Sequence, residues 1–197
     1  MSIIYYDFET TGLNQFHDKI TEYCFLKENP SQDMIQSLVN PQKPVTPFVT
    51  KLTGITQQMV NAAPIFQDHY MAILEFISAN NGYRYLVAHN GDNYDFLMFR
   101  EHLKLVGFNL NNMPIRSLDT LLLAKKLYPH QSKYSLSTLC TQFNCGVLGA
   151  HRAEGDTRMV QNLFRYMLND LSNILGASQE ELVNNPELIY NYINGNL

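Results

Sequence analysis

The chain has 197 residues, of which 45% are hydrophobic and 12% aromatic, and its formal net charge is −4. This length suits one domain with a sizeable core, and the composition excludes global disorder. No apolar run reaches the roughly 18 residues of a membrane span, and the N-terminus lacks the basic and apolar regions of a signal peptide. We therefore expect an intracellular protein, cytoplasmic or nuclear, with no membrane partner.

The charge is unevenly distributed along the chain. Residues 1–99 hold five basic and ten acidic residues, residues 100–165 hold nine and four, and residues 166–197 hold none and four. The overall acidity argues against nucleic-acid binding by bulk electrostatics. The basic middle segment is either a local binding surface or a solvated face. The three cysteines are too few for a disulfide framework and are interpreted as reduced, packed thiols.

Apolar periodicity and turn residues predict the elements of secondary structure. In chain order they are strands over 3–8, 19–27 and 32–39, an extended proline-rich loop over 40–47, a short helix from Thr56 to near Asn61, a helix over 65–79, a strand over 83–88, a helix over 94–106, a strand over 115–118, and helices over 119–128, 135–143 and 153–169. A capping box at Ser178 and Glu181 and the sequence Asn185-Pro186-Glu187 predict two more helix starts. This order predicts an α/β fold with a mixed sheet, antiparallel in its first three strands and then parallel, flanked by helices.

The segment IIYYDFETTG ends an apolar strand in two carboxylates, Asp7 and Glu9. Residues i and i+2 of a strand share a face and lie about 6.5–7 Å apart. Burying two unpaired carboxylates there would be unfavourable. A divalent cation between them would remove that penalty, because hard cations prefer carboxylate oxygen. The alternative is a strand end with two solvated acids, and Asp-x-Glu alone does not decide between the two.

The segment LVAHNGDNYDF, residues 86–96, carries a further candidate in Asp95. A buried strand ends at the His-Asn-Gly sequence, and a helix begins near Asp95, with Asp92 or Asn93 predicted as its N-cap. Ligands of α/β sheets gather at the carboxyl ends of strands. The alternative for Asp95 is stabilisation of the helix dipole.

The segment HRAEGDTRM, residues 151–159, places His151 before a helix whose first turn contains Asp156. A single histidine is more often structural, but a histidine beside a carboxylate is a candidate base near neutral pH. Asp119 is interpreted instead as the N-cap of a helix over 120–128, because Asp-Thr precedes an apolar periodic run.

In order and spacing, DFETTG, HNGDNYDF and HRAEGD resemble the three motifs of the DEDDh 3′→5′ exonucleases. These enzymes share the RNase H-like fold and include proofreading subunits of replicative polymerases. The HNGD-x-YDF form is similar to that of the three-prime repair exonucleases, the TREX group, although the proline-rich insertion of that group is not visible. The resemblance covers roughly residues 3–168. We therefore expect an exonuclease domain over 1–170 and a C-terminal helical extension over 171–197, packed on the domain or trailing from it.

The resemblance implies a two-metal phosphodiesterase, with two Mg²⁺ ions that Mn²⁺ can replace. Asp7 would bridge both ions, Glu9 and Asp156 would complete the site that activates water, and Asp95 would bind directly or through a water. His151 would be the general base, and nucleoside 5′-monophosphates would leave from a 3′ end.

By the same resemblance, the turn formed by Thr10, Thr11, Gly12 and Leu13 would contact the terminal nucleotide. Tyr94 would approach the scissile phosphate. Ordinary packing is the alternative for Leu13, and a helix-start aromatic is the alternative for Tyr94. His89, with its neighbour Asn90, would support the substrate site by holding the loop of the second motif.

The expected substrate is DNA with a single-stranded or mismatched 3′ end. An exoribonuclease of the same family is the first alternative, and the form of the second motif favours DNA over RNA. A noncatalytic nucleic-acid-binding module is the second alternative, and the presence of all four acids and the histidine argues against it. The TREX resemblance also suggests a homodimer formed through an edge strand over 32–39.

Overall fold

The computed structural model describes residues 3–78, 82–146 and 151–196, and their strands form one mixed sheet. The strands are β1 (Ile3–Thr10), β2 (Ile20–Lys27), β3 (Met34–Leu38), β4 (Arg84–Ala88) and β5 (Ile115–Asp119). Their order across the sheet is β3-β2-β1-β4-β5. The pairs β1–β2 and β2–β3 are antiparallel, whereas β1–β4 and β4–β5 are parallel. The predicted fold class is confirmed.

Helices cover both faces of this sheet. They are α1 (Pro47–Thr53), α2 (Gln57–Asn61), α3 (Phe66–Ile77), α4 (Asp95–Leu105), α5 (Thr120–Leu127), α6 (Leu136–Gln142), α7 (Ala153–Leu175), α8 (Gln179–Asn184) and α9 (Glu187–Asn194). Residue 79, the predicted end of α3, lies outside the described residues. Within the described parts of the chain, no helix combines the length and apolarity needed to cross a membrane.

Helix α1 follows the predicted extended loop and overlaps it only at Pro47, in a segment for which no helix was predicted. The Thr46 side chain accepts a hydrogen bond from the Val49 amide, and Pro47 occupies the first turn. Gly54, at φ 74°, ends the helix in the left-handed region that glycine adopts easily. Residues 41–46 lie in neither a helix nor a strand, as the prolines predicted. Pro47 starts the helix because proline is favoured at the first helical position, where its missing N–H is not needed.

The start of α4 also differs from the prediction. Asp92 and Asn93 lie in a short 3₁₀ turn, and Tyr94 is the N-cap, without a side-chain capping bond. Asn90 adopts a left-handed φ of 61°, which turns the chain sharply after β4. Asp95 therefore becomes the first residue of the helix.

Helix α7 is longer than predicted. It continues past residue 169 because the buried Leu171 extends its apolar face, and Gly176 ends it at φ 64°. The predicted boundary at residue 170 thus falls inside a helix, and the division into a domain and an extension stays a prediction. The capping box of Ser178 and Glu181 at the start of α8 is present.

Alternate residues of β1 supply two separate cores. Ile3 and Tyr5 pack with the residues of α7 and of the helices around it. Ile4 and Phe8 pack with α3 and α4 on the opposite face. Because side chains alternate along a strand, Asp7 continues the positions that face α7. This parity brings the acids of β1 under the N-terminal end of α7.

Helix α9 packs against β4 and β5, at the end of the sheet opposite β3. The Glu187 carboxylate accepts a hydrogen bond of 2.6 Å from the Tyr85 hydroxyl and forms an ion pair with Arg116. The Arg116 guanidinium also lies 4.6 Å from the centre of the Tyr190 ring. Ile189 is fully buried in the core on the α7 face.

If α9 completes that core, Ile189→Ala should lower the free energy of unfolding by about 2–5 kcal/mol, because it leaves a cavity in a packed site. Ile174→Ala is the matched control, since Ile174 is 57% exposed, and should change stability little. Urea denaturation followed by circular dichroism measures both. Equal, small effects would show that α9 contributes little to the core.

Candidate metal centre and active site

Three carboxylates meet where β1 passes beneath the start of α7. Asp7 and Glu9 come from β1, and Asp156 comes from the first turn of α7. One oxygen of each carboxylate can be chosen so that all three lie within 4.8 Å of one another. We call Asp7, Glu9 and Asp156 the carboxylate cluster.

A β-bulge lies directly beside this cluster. Glu9 pairs with Glu22 of β2, whereas the next residue, Thr10, pairs with Ile20, so the register shifts by one residue. Bulges bend the strand and redirect its side chains. The regular ladder thus ends just after the second carboxylate, where the turn that carries Gly12 and Leu13 begins.

Asp95 is the fourth predicted acid, and it lies outside the distance that defines the carboxylate cluster. Its carboxyl is buried, and the backbone N–H groups of Phe8 and of Asp95 itself partly oppose the rise in its pKa that burial causes. Its charge nevertheless acts on Asp7, for which it is the largest contribution after burial. The structure therefore places Asp95 next to the cluster, on the side of α4.

The acids of the site raise one another's pKa. Burial raises the pKa of Asp7 well above its usual range, and the charges of Asp95 and Asp156 add to the effect. Burial, with Asp156 and Glu22 nearby, raises the pKa of Glu9 to about 8. Burial likewise raises the pKa of Asp95 to about 7. In the part of the chain that the structure describes, no ion pair joins the cluster or Asp95 to a lysine or arginine.

This donor set fits a hard divalent cation. The available ligand atoms are carboxylate oxygens, which Mg²⁺, Mn²⁺ and Ca²⁺ prefer. A bound cation would also supply the positive charge that would offset the repulsion among the buried acids. The carboxylate cluster could hold a metal directly. Asp95 lies close enough for its charge to influence the same site.

His151 lies at the entrance to α7. Its backbone adopts a left-handed φ of 64°, and its N–H donates a 3.0 Å hydrogen bond to Asp156 Oδ2. The residue is exposed. Burial raises the pKa of Asp156, and this backbone hydrogen bond from His151 partly opposes that effect. The predicted proximity of His151 to the last carboxylate is thus present in the fold.

The turn after β1 is closed by Tyr94. The Tyr94 hydroxyl donates to the Gly12 carbonyl at 2.6 Å and lies 2.6 Å from Thr10 Oγ1. Burial raises the pKa of Tyr94 to about 12, so the hydroxyl keeps its proton. Leu13 is 86% exposed at the tip of the turn, which favours contact with a ligand over ordinary packing.

Asp18 supports the same turn, and nothing in the sequence marks it as a site residue. Its carboxylate accepts hydrogen bonds from the Thr11 hydroxyl at 2.9 Å and the Asn14 amide at 3.0 Å, and pairs with Lys43. A Cβ atom at Gly12 would lie 2.5 Å from Asp18 Oδ2.

His89 and Asp119 hold the loop that follows β4. His89 Nε2 lies 2.7 Å from the Tyr134 carbonyl, and Nδ1 lies 2.9 Å from the Thr120 hydroxyl. Both ring nitrogens thus have protein partners, as a supporting role requires. Asp119 caps α5 through the Leu121 amide, as predicted. It also accepts a hydrogen bond from the Asn90 amide, which the sequence did not indicate.

Comparisons with known proteins agree with this geometry. Residues 4–164 match the family model RNase_T, described as an exonuclease. The chain is 36% identical over 181 residues to the DNA polymerase III PolC-type of Caldanaerobacter subterraneus subsp. tengcongensis. That match covers 91% of this chain but 12% of the relative, so the chain spans a small part of the length of this curated relative.

Two solved structures resemble the fold. Exonuclease X in complex with 5′ overhanging duplex DNA aligns with a TM-score of 0.63 and 24% identity, covering 95% of this chain and 99% of that one. The zinc-ion-bound form of the E. coli ExoI–ssDNA complex aligns with a TM-score of 0.72 and 15% identity, covering 96% of this chain and 42% of that one. A mixed sheet with an acidic centre and an exonuclease family match defines an exonuclease domain. The chain belongs to the RNase_T exonuclease family, within the DEDDh-type superfamily that its motifs predicted.

The repulsion within the carboxylate cluster predicts that Asp7→Asn stabilises the metal-free protein. An acid whose pKa is higher in the folded than in the unfolded state stabilises the folded protein at low pH. This contribution to stability is lost as pH rises through the pKa of the acid in the folded state. In EDTA, the gain of Asp7→Asn over the wild-type protein should therefore grow as pH rises above about 4, the ordinary pKa of an aspartate. It should reach at least about 1 kcal/mol, or about 2–4 °C in melting temperature.

Added Mn²⁺ should raise the melting temperature of the wild-type protein more than that of Asp7→Asn, because the variant lacks a ligand. Glu75→Gln removes one exposed negative charge on α3 and serves as the control. Its melting temperature should match that of the wild-type protein both in EDTA and with added Mn²⁺. A lower melting temperature for metal-free Asp7→Asn at pH 8 would contradict the repulsion argument.

Proposed function

We propose that the chain is a metal-dependent 3′→5′ exonuclease that removes nucleoside 5′-monophosphates from DNA, with preference for single-stranded or mismatched 3′ ends. The carboxylate cluster, with oxygens within 4.8 Å and no cationic side chain paired to it among the described residues, carries this proposal. The two similar structures are complexes with duplex DNA that carries a 5′ overhang and with single-stranded DNA. These ligands support DNA as the substrate class.

The carboxylate cluster would hold the cation, with Asp7 shared between two sites. Asp95 would serve the second site, directly or through a water, as its position outside the cluster suggests. We propose Mg²⁺ as the natural ion, with Mn²⁺ as a substitute, because Mg²⁺ accepts carboxylates, phosphate and retained waters together. When bound, two such ions stabilise the attacking water and the leaving 3′ oxygen of an in-line displacement.

His151 would take the proton from the attacking water. A general base must reach the proton that it removes and must be able to change its charge near neutral pH. The exposed position of His151 allows the first condition, and the hydrogen bond from its backbone to Asp156 holds the residue beside the cluster. Imidazole chemistry supplies the second condition.

The turn of residues 10–13 would receive the terminal nucleotide. Leu13 would pack against a base, and such apolar contacts tolerate any sequence. The contacts of Tyr94 with Gly12 and Thr10 fix the shape of the turn, so Tyr94 would act on the substrate partly by positioning this turn. Thr11 would act in the same way through its bond to Asp18.

The closer resemblance to the TREX group stays a prediction that rests on the spacing of the second motif. The homodimer through residues 32–39 also stays a prediction. It is supported by the position of β3 at one end of the sheet order. A monomeric mass in light scattering would contradict the predicted homodimer.

A 5′-labelled DNA oligonucleotide tests the proposed function. The wild-type protein should shorten it stepwise from the 3′ end in Mg²⁺ or Mn²⁺, and EDTA should stop the reaction. Asp7→Ala should abolish activity while circular dichroism shows a retained fold, because the change removes a ligand rather than a packing group. No shortening by the wild-type protein in either metal, or full activity of Asp7→Ala, would reject the proposal.

The substrate class is decided in the same assay with matched oligonucleotides. We expect single-stranded DNA and a duplex with a mismatched 3′ end to be degraded faster than a fully paired duplex or RNA. Faster loss of RNA would indicate the exoribonuclease alternative. Tight binding of DNA without turnover in both metals would indicate the noncatalytic module.

His151→Ala should lower kcat by about 10²–10⁴-fold, the usual contribution of a general base. Its Mn²⁺ affinity, measured by calorimetry, should change little, because the side chain is not a proposed ligand. His130→Ala, which alters another exposed histidine, is the control and should keep the wild-type kcat. Equal losses of rate and metal affinity in His151→Ala would show that the residue is structural.

A further inference from the structure

Glu22 is a buried acid that lies beside the carboxylate cluster without belonging to it. It sits in β2 directly opposite Glu9, and it is 6% exposed. Burying a carboxylate is unfavourable unless it is paired and hydrogen-bonded. The partners of Glu22 therefore show what its burial achieves.

Those partners all come from the entrance to α7. Glu22 Oε2 accepts a 2.9 Å hydrogen bond from the Ala153 amide and a 3.0 Å bond from Arg152 Nε. Arg152 Nη2 pairs with Oε1, so the guanidinium engages both oxygens of the carboxylate. Such two-point contacts fix orientation as well as distance.

Helix α7 has no N-terminal cap of its own. Arg152 occupies the N-cap position, and its side chain makes no capping hydrogen bond. Instead, Glu22 of the neighbouring strand β2 accepts the hydrogen bond of the Ala153 backbone N–H. Its negative charge at this end of the helix also interacts favourably with the helix dipole. The first turn of α7, which carries Asp156, is thus attached to β2 through Glu22.

We propose that Glu22 is a positioning residue for the active site: through Arg152 and Ala153 it sets the distance between Asp156 and the acids of β1, and the position of His151. This inference rests on the proposed function. The chain from Glu22 to the cluster is short, because His151, Arg152 and Ala153 are consecutive and the Arg152 carbonyl accepts from the Asp156 amide. A small shift of this segment would move a ligand and the base together.

Direct metal binding by Glu22 fits the structure less well. Both of its oxygens are already engaged by Arg152 and Ala153, and it lies outside the carboxylate cluster. Arg152 also offsets the charge that Glu22 places next to Glu9. Positioning therefore accounts for all the contacts of Glu22.

Glu22→Gln tests the proposal. Glutamine keeps the size of the side chain and can still accept from Ala153, but it loses the charge that holds Arg152. Residues that orient metal ligands typically contribute about 10–100-fold to activity or metal affinity. We expect kcat on single-stranded DNA to fall by about 10–100-fold with KM within about twofold, and Mn²⁺ affinity to fall about tenfold.

Arg152→Gln tests the same link from the other side and should show the same pattern, with Arg152→Lys restoring part of kcat. The Arg152 side chain is 44% exposed, so the change leaves no cavity in the core, and circular dichroism checks that both variants fold. Arg158→Gln is the matched control. Arg158 lies on the same helix, is 39% exposed and pairs with Glu154 instead, so its kcat and metal affinity should stay at wild-type values.

The proposal is overturned if Glu22→Gln and Arg152→Gln lose only thermal stability, or if Arg158→Gln loses kcat to the same extent. If the wild-type protein does not degrade DNA at all, the proposed function fails. The Mn²⁺ affinities of the same variants then still decide whether Glu22 positions the cluster.

Discussion

Mutual repulsion among buried carboxylates is the constraint on which the rest of this structure depends. Asp7, Glu9 and Asp156 approach one another closely, and Asp95 acts on them from α4. Their pKa values are raised because burial and like charge both penalise the ionised form. A fold that held these groups loosely would let them separate into water, so the surrounding elements must hold them together.

Three further acids hold the segments around the site, each through backbone amides. Asp18 binds the turn after β1, Asp119 binds the loop after β4, and Glu22 binds the start of α7. None of the three belongs to the carboxylate cluster. The acids of the site lie on β1 and at the starts of α4 and α7, and these three further acids fix the adjoining turn, loop and helix start.

The two cores explain why the cluster forms at this edge of the sheet. The even residues of β1 pack against α3 and α4, and the odd residues pack against α7. An acid of β1 at an odd position must therefore face α7, whose first turn brings Asp156. The parallel neighbours β4 and β5 end at the same edge, which places the loop of His89 and the cap Asp119 beside the site.

The sequence by itself determined the strand order, most of the helices and the mixed sheet, because alternation and helical periodicity are local properties of the chain. Its motif spacing also indicated Asp7, Glu9 and Asp156, which the fold brings together. It also contained the signals for α1 in Thr46, Pro47 and Gly54, which the prediction did not use. Only the tertiary structure decided that Tyr94 rather than Asp92 or Asn93 is the N-cap of α4, and that Asp18 and Glu22 bind the turn after β1 and the start of α7. These outcomes depend on partners 7 to more than 100 residues away, and no local pattern specifies which backbone amide a distant carboxylate will reach.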